Sequence, residues 1–212
     1  LVQETNQQII KNYKGHTVIH IIINNYKIND IDYNYLPEEI NCNNVSLDII
    51  FICLPNEVIH HFKSLFNKFE ISINKIICSS YAKATNYKVN LSSNKDVSFV
   101  DVGFEKTTIV SYVNDNFYSL AVLPIGGNHI TKDISKILKV DLKQAENLKL
   151  NFDNEDYLLN DENFSVELIQ KIIFARTEEI LELCETSIKL NLTSTSDFKM
   201  VMMGEGSKIL DN

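Results

Sequence analysis

Three glycine-containing turns, each placed after a predicted β-strand, are the parts of this sequence whose residue types could bind a charged ligand. In the first, Asp101-Val102-Gly103, an acidic residue at a strand end can hold a hydrated Mg²⁺ ion. The turn that follows can aim backbone N–H groups at phosphate oxygens. The second turn is Gly126-Gly127-Asn128, and the third is Gly204-Glu205-Gly206-Ser207, whose backbone can approach a nucleobase or ribose closely. Each turn alone is weak evidence, because most such turns only connect elements.

Other residue types that often carry chemistry give weaker signals. His60-His61 begin a predicted helix, but neither a third histidine nor a cysteine is suitably spaced to complete a metal site. Ser79-Ser80 lacks the glycine context of a hydrolase nucleophile. The cysteines show no C-x-x-C spacing, and Cys53 and Cys78 lie in apolar runs, so we expect buried free thiols. We therefore predict no directly bound metal and assign no catalytic residue.

Composition and charge narrow the function further. The chain has 212 residues with 20 Lys+Arg and 28 Asp+Glu, a net charge of −8, and 44% hydrophobic residues. These values are typical of a globular protein with a sizeable core. The acidic balance argues against nucleic acid as a partner, because phosphate neutralisation needs clustered cations. The longest apolar runs are strand-sized, so no membrane-spanning helix is predicted.

The first 78 residues have the pattern of a small α+β unit. Its predicted elements are the strands Thr17–Ile23 and Val45–Leu54, a helix that starts at Pro55-Asn56, and a third strand, Ile71–Cys78. The polar stretch Asn24–Asn44 predicts irregular structure, and the apolar run Ile49–Ile52 predicts a strand buried on both faces. In the helix, apolar residues recur at steps of three and four and form one stripe: Val58, Ile59, Phe62, Leu65, Phe66 and Phe69.

The rest of the chain alternates strands and helices. The predicted strands are Val97–Val100, Thr107–Tyr112 and Phe117–Leu123, which form a β-meander around Asn114-Asp115-Asn116, and a last strand, Met200–Met203. The predicted helices are one capped by Thr131 that runs through Leu138, one over Leu142–Leu150, and one over Val166–Leu190. Asp141 with Gln144 resembles a capping box for the second helix, and Asn151–Asn163 is an acidic loop before the third. The third helix is expected to point six residues inward: Ile169, Ile172, Ile173, Ile180, Leu183 and Ile188.

The order of the three turns, with a long helix between the second and the third, is more specific than any one of them. At this point the sequence resembles the FtsA family of bacterial cell division proteins, in the actin-like ATPase superfamily. The match is strongest over Asp96–Lys149, where the family has a D-[IM]-G-G-G-T-T phosphate hairpin, a strand pair, P-x-G-G-N-x-x-T-x-D-I and an A-E-x-[IL]-K helix. The matching residues are Pro124, Gly126, Gly127, Asn128, Thr131, Asp133, Ile134, Ala145, Glu146 and Lys149.

Further segments also resemble the family. Ile172–Ile180 is similar to its I-I-x-[AP]-R-x-x-E-I helix, and Arg176, the only arginine of the chain, falls on the family's arginine. Val201–Ser207 is similar to the adenosine motif V-x-L-T-G-G-[GA]-[AS]. Cys78–Ala82 resembles A-[ST]-P-Y-A, and Thr17–Ile77 fits the family's extra subdomain, called 1C, in size and position.

The resemblance implies an α/β fold: an actin-like ATPase (ribonuclease H-like) lobe with an inserted small α+β subdomain. It also implies five segments. These are residues 1–78, a 1C-like unit with the end of lobe 1 at its N-terminus; 79–95, a return segment of lobe 1; 96–141, a 2A-like core of lobe 2 with the phosphate hairpin; 142–197, a helical 2B-like subdomain; and 198–212, the return to 2A with the adenosine motif. The chain starts at Leu1 and is expected to be a fragment that lacks the phosphate-1 loop and a C-terminal membrane helix.

The resemblance also implies a nucleotide site for ATP and Mg²⁺. The phosphate and Mg²⁺ side would consist of Asp101, Gly103, Phe104, Glu105, Lys106 and Thr107, with Gly126, Gly127 and Asn128 from the same lobe. Adenosine would bind at Arg176, Glu179, Gly204, Glu205, Gly206 and Ser207.

The phosphate hairpin departs from the family pattern, which predicts weakened nucleotide binding. Phe104 and Glu105 replace two glycines and cannot easily adopt a positive φ. Glu105 also adds a negative charge near phosphates, and two unit charges 4 Å apart cost about 1 kcal/mol in water and about 4 kcal/mol at an effective dielectric constant near 20. Lys106 replaces a threonine and can offset this charge. In the adenosine motif, Glu205 replaces a glycine and Met203 a threonine.

The function implied by the resemblance is that of a cell division scaffold. Such a protein binds ATP between two lobes, self-associates into filaments through subdomain 1C, and tethers the FtsZ ring to the inner membrane from the cytoplasmic side. The FtsZ C-terminal tail would dock on the helices at 142–192, beside other division proteins. ATP would act as a conformational ligand, with at most weak hydrolysis.

Two other functions stay open at this point. A PilM-like actin-fold protein of pilus assembly shares the architecture and would differ in lacking an amphipathic C-terminal membrane helix. A small-molecule kinase of the same superfamily would need an intact glycine hairpin and a catalytic carboxylate. The 1C-like insertion and the P-x-G-G-N-x-x-T-x-D-I segment argue against the kinase.

Overall fold

The computed structural model describes residues 1–91, 96–152, 154, 165–191 and 198–210. The chain divides into two compact units, Leu1–Ala82 and Lys83–Asn212. Each unit has its own β-sheet, and among the described residues no strand of the first unit pairs with a strand of the second. The boundary between the two units lies within helix α3 (Ser79–Asn90).

The first unit is a three-stranded antiparallel sheet with two helices. Its elements are α1 (Val2–Asn12), β1 (His16–Ile28), β2 (Ile31–Tyr33), β3 (Val45–Pro55) and α2 (Asn56–Asn67), with the strand order β2-β1-β3. β1 is longer than predicted, and β2 lies inside the stretch Asn24–Asn44, for which irregular structure was wrongly predicted. The two strands are joined at Asn29 and Asp30, whose φ values of 49° and 64° suit these residue types in a tight hairpin.

Two further expectations for the first unit are wrong. Residues 71–78 form no strand; the N–H of Cys78 instead donates to Nε2 of His20, 2.9 Å away, so a side chain replaces a ladder partner. Ile49–Ile52 is only half-buried, because the small unit covers this sheet incompletely. On α2 only Ile59 is buried, and the rest of the predicted stripe is exposed: Val58, Phe62, Leu65, Phe66 and Phe69.

The second unit is a four-stranded sheet with helices and a larger core. Its elements after α3 are β4 (Val97–Val102), β5 (Thr107–Val113), β6 (Asn116–Leu123), α4 (Gly127–Leu138), α5 (Leu142–Leu150), α6 (Val166–Asn191), β7 (Lys199–Met203) and a 3₁₀ helix (Glu205–Leu210). The strand order is β6-β5-β4-β7, with β4 parallel to β7 and antiparallel to β5. All six residues of β4 are buried, so this strand, which lies between β5 and β7, is part of the core of the second unit.

The meander of β4, β5 and β6 is confirmed, with its hairpin at Asn114 and Asp115 in the left-handed region. α5 spans the predicted Leu142–Leu150, and Asp141 Oδ1 accepts the Gln144 N–H at 2.8 Å. α4 begins at Gly127, four residues before the predicted cap, because its first N–H groups find acceptors in a neighbouring loop.

Helix α6 packs as predicted except at one position. Ile169, Ile172, Ile173, Ile180 and Ile188 are buried, whereas Leu183 is 41% exposed and its neighbour Cys184 is buried instead. Most of the acidic loop Asn151–Asn163 lies outside the described residues. Within the described ranges, no helix has the length and apolar character needed to cross a membrane.

Candidate nucleotide site

The first and third glycine turns meet at one edge of the second sheet. β4 and β7 run parallel with Asp101 opposite Met203, so both strands end at the same edge. Gly204, next after β7, has φ +89°, and a β-carbon there would lie 2.4 Å from Asp101 Oδ1 and 2.9 Å from the Val102 carbonyl oxygen. A β-carbon on Gly206 would lie 2.6 Å from Val102 Cγ1. Both glycines are therefore required by the close approach of the two strand ends.

The third turn is closed by its own side chain. Ser207 Oγ donates to the Gly204 carbonyl at 2.7 Å, and the Ser207 N–H reaches the same oxygen at 3.2 Å. Glu205 points outward and pairs with Lys208 at 2.6 Å. The Lys208 hydrogen bond and charge lower the pKa of Glu205, and the Lys83 charge acts in the same direction.

Asp101 has a cationic partner that sequence reasoning missed. Lys83, in the first turns of α3, places Nζ 3.1 Å from both Oδ1 and Oδ2 of Asp101. The aspartate side chain is 9% exposed and the lysine side chain 46% exposed. In the sequence, Lys83 is simply the residue after the Cys78–Ala82 segment. Its distance along the chain from Asp101 does not indicate that the two side chains pair.

The hairpin 103–106 is packed against the start of α4. The Gly103 N–H donates to the Lys106 carbonyl at 3.0 Å, and the Gly103 and Phe104 carbonyls accept the N–H groups of Gly127 at 2.9 Å and Asn128 at 2.7 Å. A β-carbon on Gly126 would lie 2.5 Å from the Gly103 carbonyl oxygen, so only glycine fits there. The hairpin thus joins the first and second glycine turns in one structure.

The expected steric obstacle at Phe104 and Glu105 is absent, since no residue of 103–106 has a positive φ. The charge remains: Glu105 Oε1 accepts from Asn128 Nδ2 at 2.5 Å, beside the N-terminus of α4. Thr107, at the start of β5, is buried and donates to the Ile125 carbonyl at 2.7 Å. The Gly103 and Phe104 carbonyls therefore satisfy two N–H groups at the start of this helix, and the Glu105 carboxylate adds a negative charge beside its electropositive end.

A buried lysine that was not predicted as a site residue connects α5 to the first turn of α4. Lys149 is 4% exposed, and its Nζ donates to Glu146 Oε2 at 2.7 Å, to Thr131 Oγ1 at 3.0 Å and to the Gly127 carbonyl at 3.3 Å. Burial alone would raise the pKa of Glu146, but the hydrogen bonds from Lys149 and Thr131 and the Lys149 charge outweigh it, so the pKa is lowered. In the sequence, Lys149 was noticed only as part of the A-E-x-x-K match to the family, which assigned this lysine no role.

Arg176 and Glu179 lie in a groove between α4 and α6. Arg176 Nε donates to Asp133 Oδ2 at 2.6 Å, and the guanidinium also contacts Glu179. The Asp133 hydrogen bond raises the pKa of Arg176. The groove holds about 270 Å³ and is lined by Asp133, Ile137, Ile172, Ala175, Arg176 and Glu179. None of these belongs to the hairpin or to the third turn, so the adenosine role of Arg176 and Glu179 stays a prediction.

The hairpin that follows Asp101 offers hydrogen-bond donors to an anion, whereas Asp101 itself is already paired with a lysine. Among the described residues, the backbone N–H groups of Phe104 and Glu105 have no backbone acceptor and can donate to phosphate oxygens. Asp101 accepts from Lys83 at both oxygens, and the described part of the chain has no group of three His, Cys, Asp or Glu side chains that could hold a metal ion.

Comparison of the sequence with known proteins finds similarity to one family. A family model described as cell division protein FtsA matches residues 98–191. The chain is 30% identical over 143 residues to FtsA of Streptococcus pneumoniae, covering 60% of this chain and 31% of that protein. It is 31% identical over 147 residues to FtsA of Bacillus subtilis, covering 62% and 33%. The chain thus spans about a third of the length of these relatives.

Among solved structures, the chain is similar to one described as the PilM-PilN type IV pilus biogenesis complex. The TM-score is 0.71 at 14% identity, with 98% of this chain and 56% of that chain covered. The α/β actin-like ATPase fold that the sequence predicts is confirmed by these similarities.

Proposed function

This chain is an FtsA-like protein, and on that premise we propose that it acts as a cell division scaffold that binds ATP, self-associates into actin-like filaments and tethers the FtsZ ring to the inner membrane. The observation that supports ATP binding is the close approach of Gly204 to Asp101. It brings two glycine turns to the carboxyl ends of adjacent parallel strands, where α/β sheets bind ligands.

ATP acts in this proposal as a ligand that favours one conformation. The hairpin N–H groups of Phe104 and Glu105 receive phosphate oxygens, and the turn at Gly204–Ser207 receives the adenosine. A ligand shifts a conformational equilibrium only by its difference in affinity between the two states. No catalytic carboxylate is assigned, and hydrolysis is slow or absent.

The FtsZ C-terminal tail is proposed to dock on α6, within the helices at 142–192, in the groove that α6 forms with α4. Arg176 and Glu179 would then contact the peptide and not adenosine. The lining of the groove includes the apolar side chains of Ile137, Ile172 and Ala175, together with Arg176 and its partners Asp133 and Glu179. A lining of apolar and charged side chains suits a short peptide, because apolar side chains of the peptide can be buried while the charged groups fix its direction.

Self-association is proposed to use the first unit. Four large apolar residues of α2 and the residues after it are exposed, namely Phe62, Leu65, Phe66 and Phe69. Contiguous apolar surface of this kind is typical of protein contacts. The membrane attachment, the contacts with other division proteins and the cytoplasmic location rest on the family resemblance alone.

A second function, PilM-like pilus assembly, is favoured by one observation. The similarity to the PilM-PilN complex covers 98% of the chain at a TM-score of 0.71. Binding of an FtsZ C-terminal peptide distinguishes the two functions, since only the division scaffold should bind it.

The test is fluorescence anisotropy with a labelled FtsZ C-terminal peptide from the same organism. The division scaffold predicts saturable binding that Ile137→Glu weakens at least tenfold. Leu142→Glu is the matched control, because Leu142 is 53% exposed against 52% for Ile137 but does not line the groove. Absence of binding, with a known FtsA–FtsZ pair as positive control, would favour the pilus function. Equal weakening by both variants would argue against the groove.

A further inference from the structure

The ion pair between Lys83 and Asp101 occupies the carboxylate toward which a nucleotide-bound divalent cation would lie. Lys83 Nζ is equidistant, at 3.1 Å, from the two carboxylate oxygens. A bidentate arrangement of this kind uses one lone pair on each oxygen and places an ammonium charge where a metal ion or its water shell would approach.

Two carboxylates at this edge of the sheet already have an ammonium partner. Lys83 faces Asp101, and Lys208 pairs with Glu205 at 2.6 Å. An added divalent cation would meet an ammonium group at the carboxylate it requires. The repulsion is strongest at Asp101, because that side chain is nearly buried and is little screened by solvent.

The surrounding structure fits Asp101 and Lys83 in these positions. Asp101 Oδ1 lies only 2.4 Å from the point that a β-carbon of residue 204 would occupy, so glycine at 204 leaves room for the carboxylate. Lys83 comes from the first turns of α3, which also carries Thr85, hydrogen-bonded to the Tyr112 hydroxyl of β5 at 3.0 Å. The helix that carries the lysine is thus tied to the same sheet as the aspartate.

We infer that Lys83 replaces the divalent cation at this site, so that the protein binds a nucleoside triphosphate without Mg²⁺. The inference rests on the nucleotide binding proposed above and names the ion requirement of that site. The positive charge that offsets the phosphates comes from the Lys83 ammonium, a compact point charge suited to phosphate oxygens.

The experiment measures the affinity of the purified protein for ATP by calorimetry, in MgCl₂ and in EDTA at equal ionic strength. The native protein should show less than a twofold difference between the two conditions. Lys83→Met, which keeps the length and loses the charge, should bind at least tenfold more tightly with Mg²⁺ than without. Lys83→Arg retains a cation and should remain independent of Mg²⁺.

Lys88→Met is the matched control, because Lys88 lies on the same helix and pairs with Asp115 instead. It should leave ATP binding independent of Mg²⁺. A native protein that needs Mg²⁺ for at least tenfold of its affinity overturns the inference. So does a Lys83→Met variant as independent of Mg²⁺ as the native protein.

A second measurement uses the metal alone and separates this inference from the proposed function. MgCl₂ should raise the Tm of Lys83→Met above that in NaCl of equal ionic strength, because a released carboxylate binds the ion only in the folded state. The native protein and Lys88→Met should show no such difference. If neither the native protein nor any variant binds ATP, the proposed nucleotide binding is wrong. The Tm comparison alone then tests whether Lys83 takes the place of a divalent cation at Asp101. No Mg²⁺-specific shift in Lys83→Met would overturn the inference.

Discussion

Gly204 contacts Asp101 so closely that a β-carbon at position 204 would lie 2.4 Å from the carboxylate Oδ1. The two residues are far apart in the sequence and meet because β4 and β7 are parallel neighbours that end at the same edge. The conformation of Gly204, with φ +89°, is also one that side chains rarely adopt. Backbone geometry and steric fit therefore both require glycine at this position.

Gly204→Ala should be among the more destabilising single changes in the second unit. We expect a loss of about 2–4 kcal/mol in the free energy of unfolding, since strain at a positive φ adds to a clash with Asp101. Urea denaturation measures this loss. Gly15→Ala is the control, because Gly15 has a similar φ of +93° but nothing within 4 Å of the added carbon. It should cost only about 1 kcal/mol, and equal costs for the two variants would contradict the clash.

Glu105→Gln should tighten ATP binding about fivefold, because it removes one negative charge beside the phosphates, worth about 1 kcal/mol at 4 Å in a water-like dielectric. The amide oxygen of the new side chain can still accept the Asn128 hydrogen bond that Glu105 accepts. Phe104→Gly alone should change the affinity little, since the hairpin requires no positive φ. Calorimetry with each single variant and with the Phe104→Gly, Glu105→Gly double variant checks this. Weaker binding by Glu105→Gln would refute the charge argument.

The lowered pKa of Glu146 predicts a pH-dependent contribution to stability. A carboxyl whose folded pKa lies below its unfolded value, about 4.3, stabilises the protein above that pH and loses the effect as pH falls through the folded pKa. Urea unfolding between about pH 3 and pH 6 should show this loss in the native protein and less of it in Glu146→Gln. Glu185→Gln, which breaks an exposed pair with Lys189, should leave the slope nearly unchanged. A native slope also present in Glu146→Gln would rule out this carboxyl as its source.

The four free cysteines should differ widely in reactivity. Cys184 is fully buried, and burial raises its pKa to about 11, whereas Cys42 is exposed. At about pH 8 the Cys184 thiolate is on the order of one part in a thousand, and its access is blocked. Reaction with Ellman's reagent should label Cys42 first and Cys184 only on unfolding. Cys42→Ser should remove the fast phase, and labelling of Cys184 in the native protein at the Cys42 rate would contradict the packing of α6.

The sequence predicted the parts of this protein that depend on local rules. The capping of α5 by Asp141 and the hairpin at Asn114 and Asp115 follow from short-range turn and cap chemistry. The inward face of α6 follows from the helical spacing of its apolar residues. The exception is at Leu183 and Cys184, because the spacing allows either of these neighbours to face the core, and Cys184 is the buried one. Motif order added the family resemblance and hence the fold.

The tertiary structure decided what long-range packing controls. Residues 71–78 are apolar enough for a strand, but the Cys78 N–H is taken by His20, which no local pattern could indicate. Lys83 became the partner of Asp101 only because α3 lies over the end of β4. Lys149 became a buried donor only because α5 packs against the first turn of α4. Sequence periodicity determines which face of an element is apolar, whereas the partners of a charged side chain depend on elements brought together from distant parts of the chain.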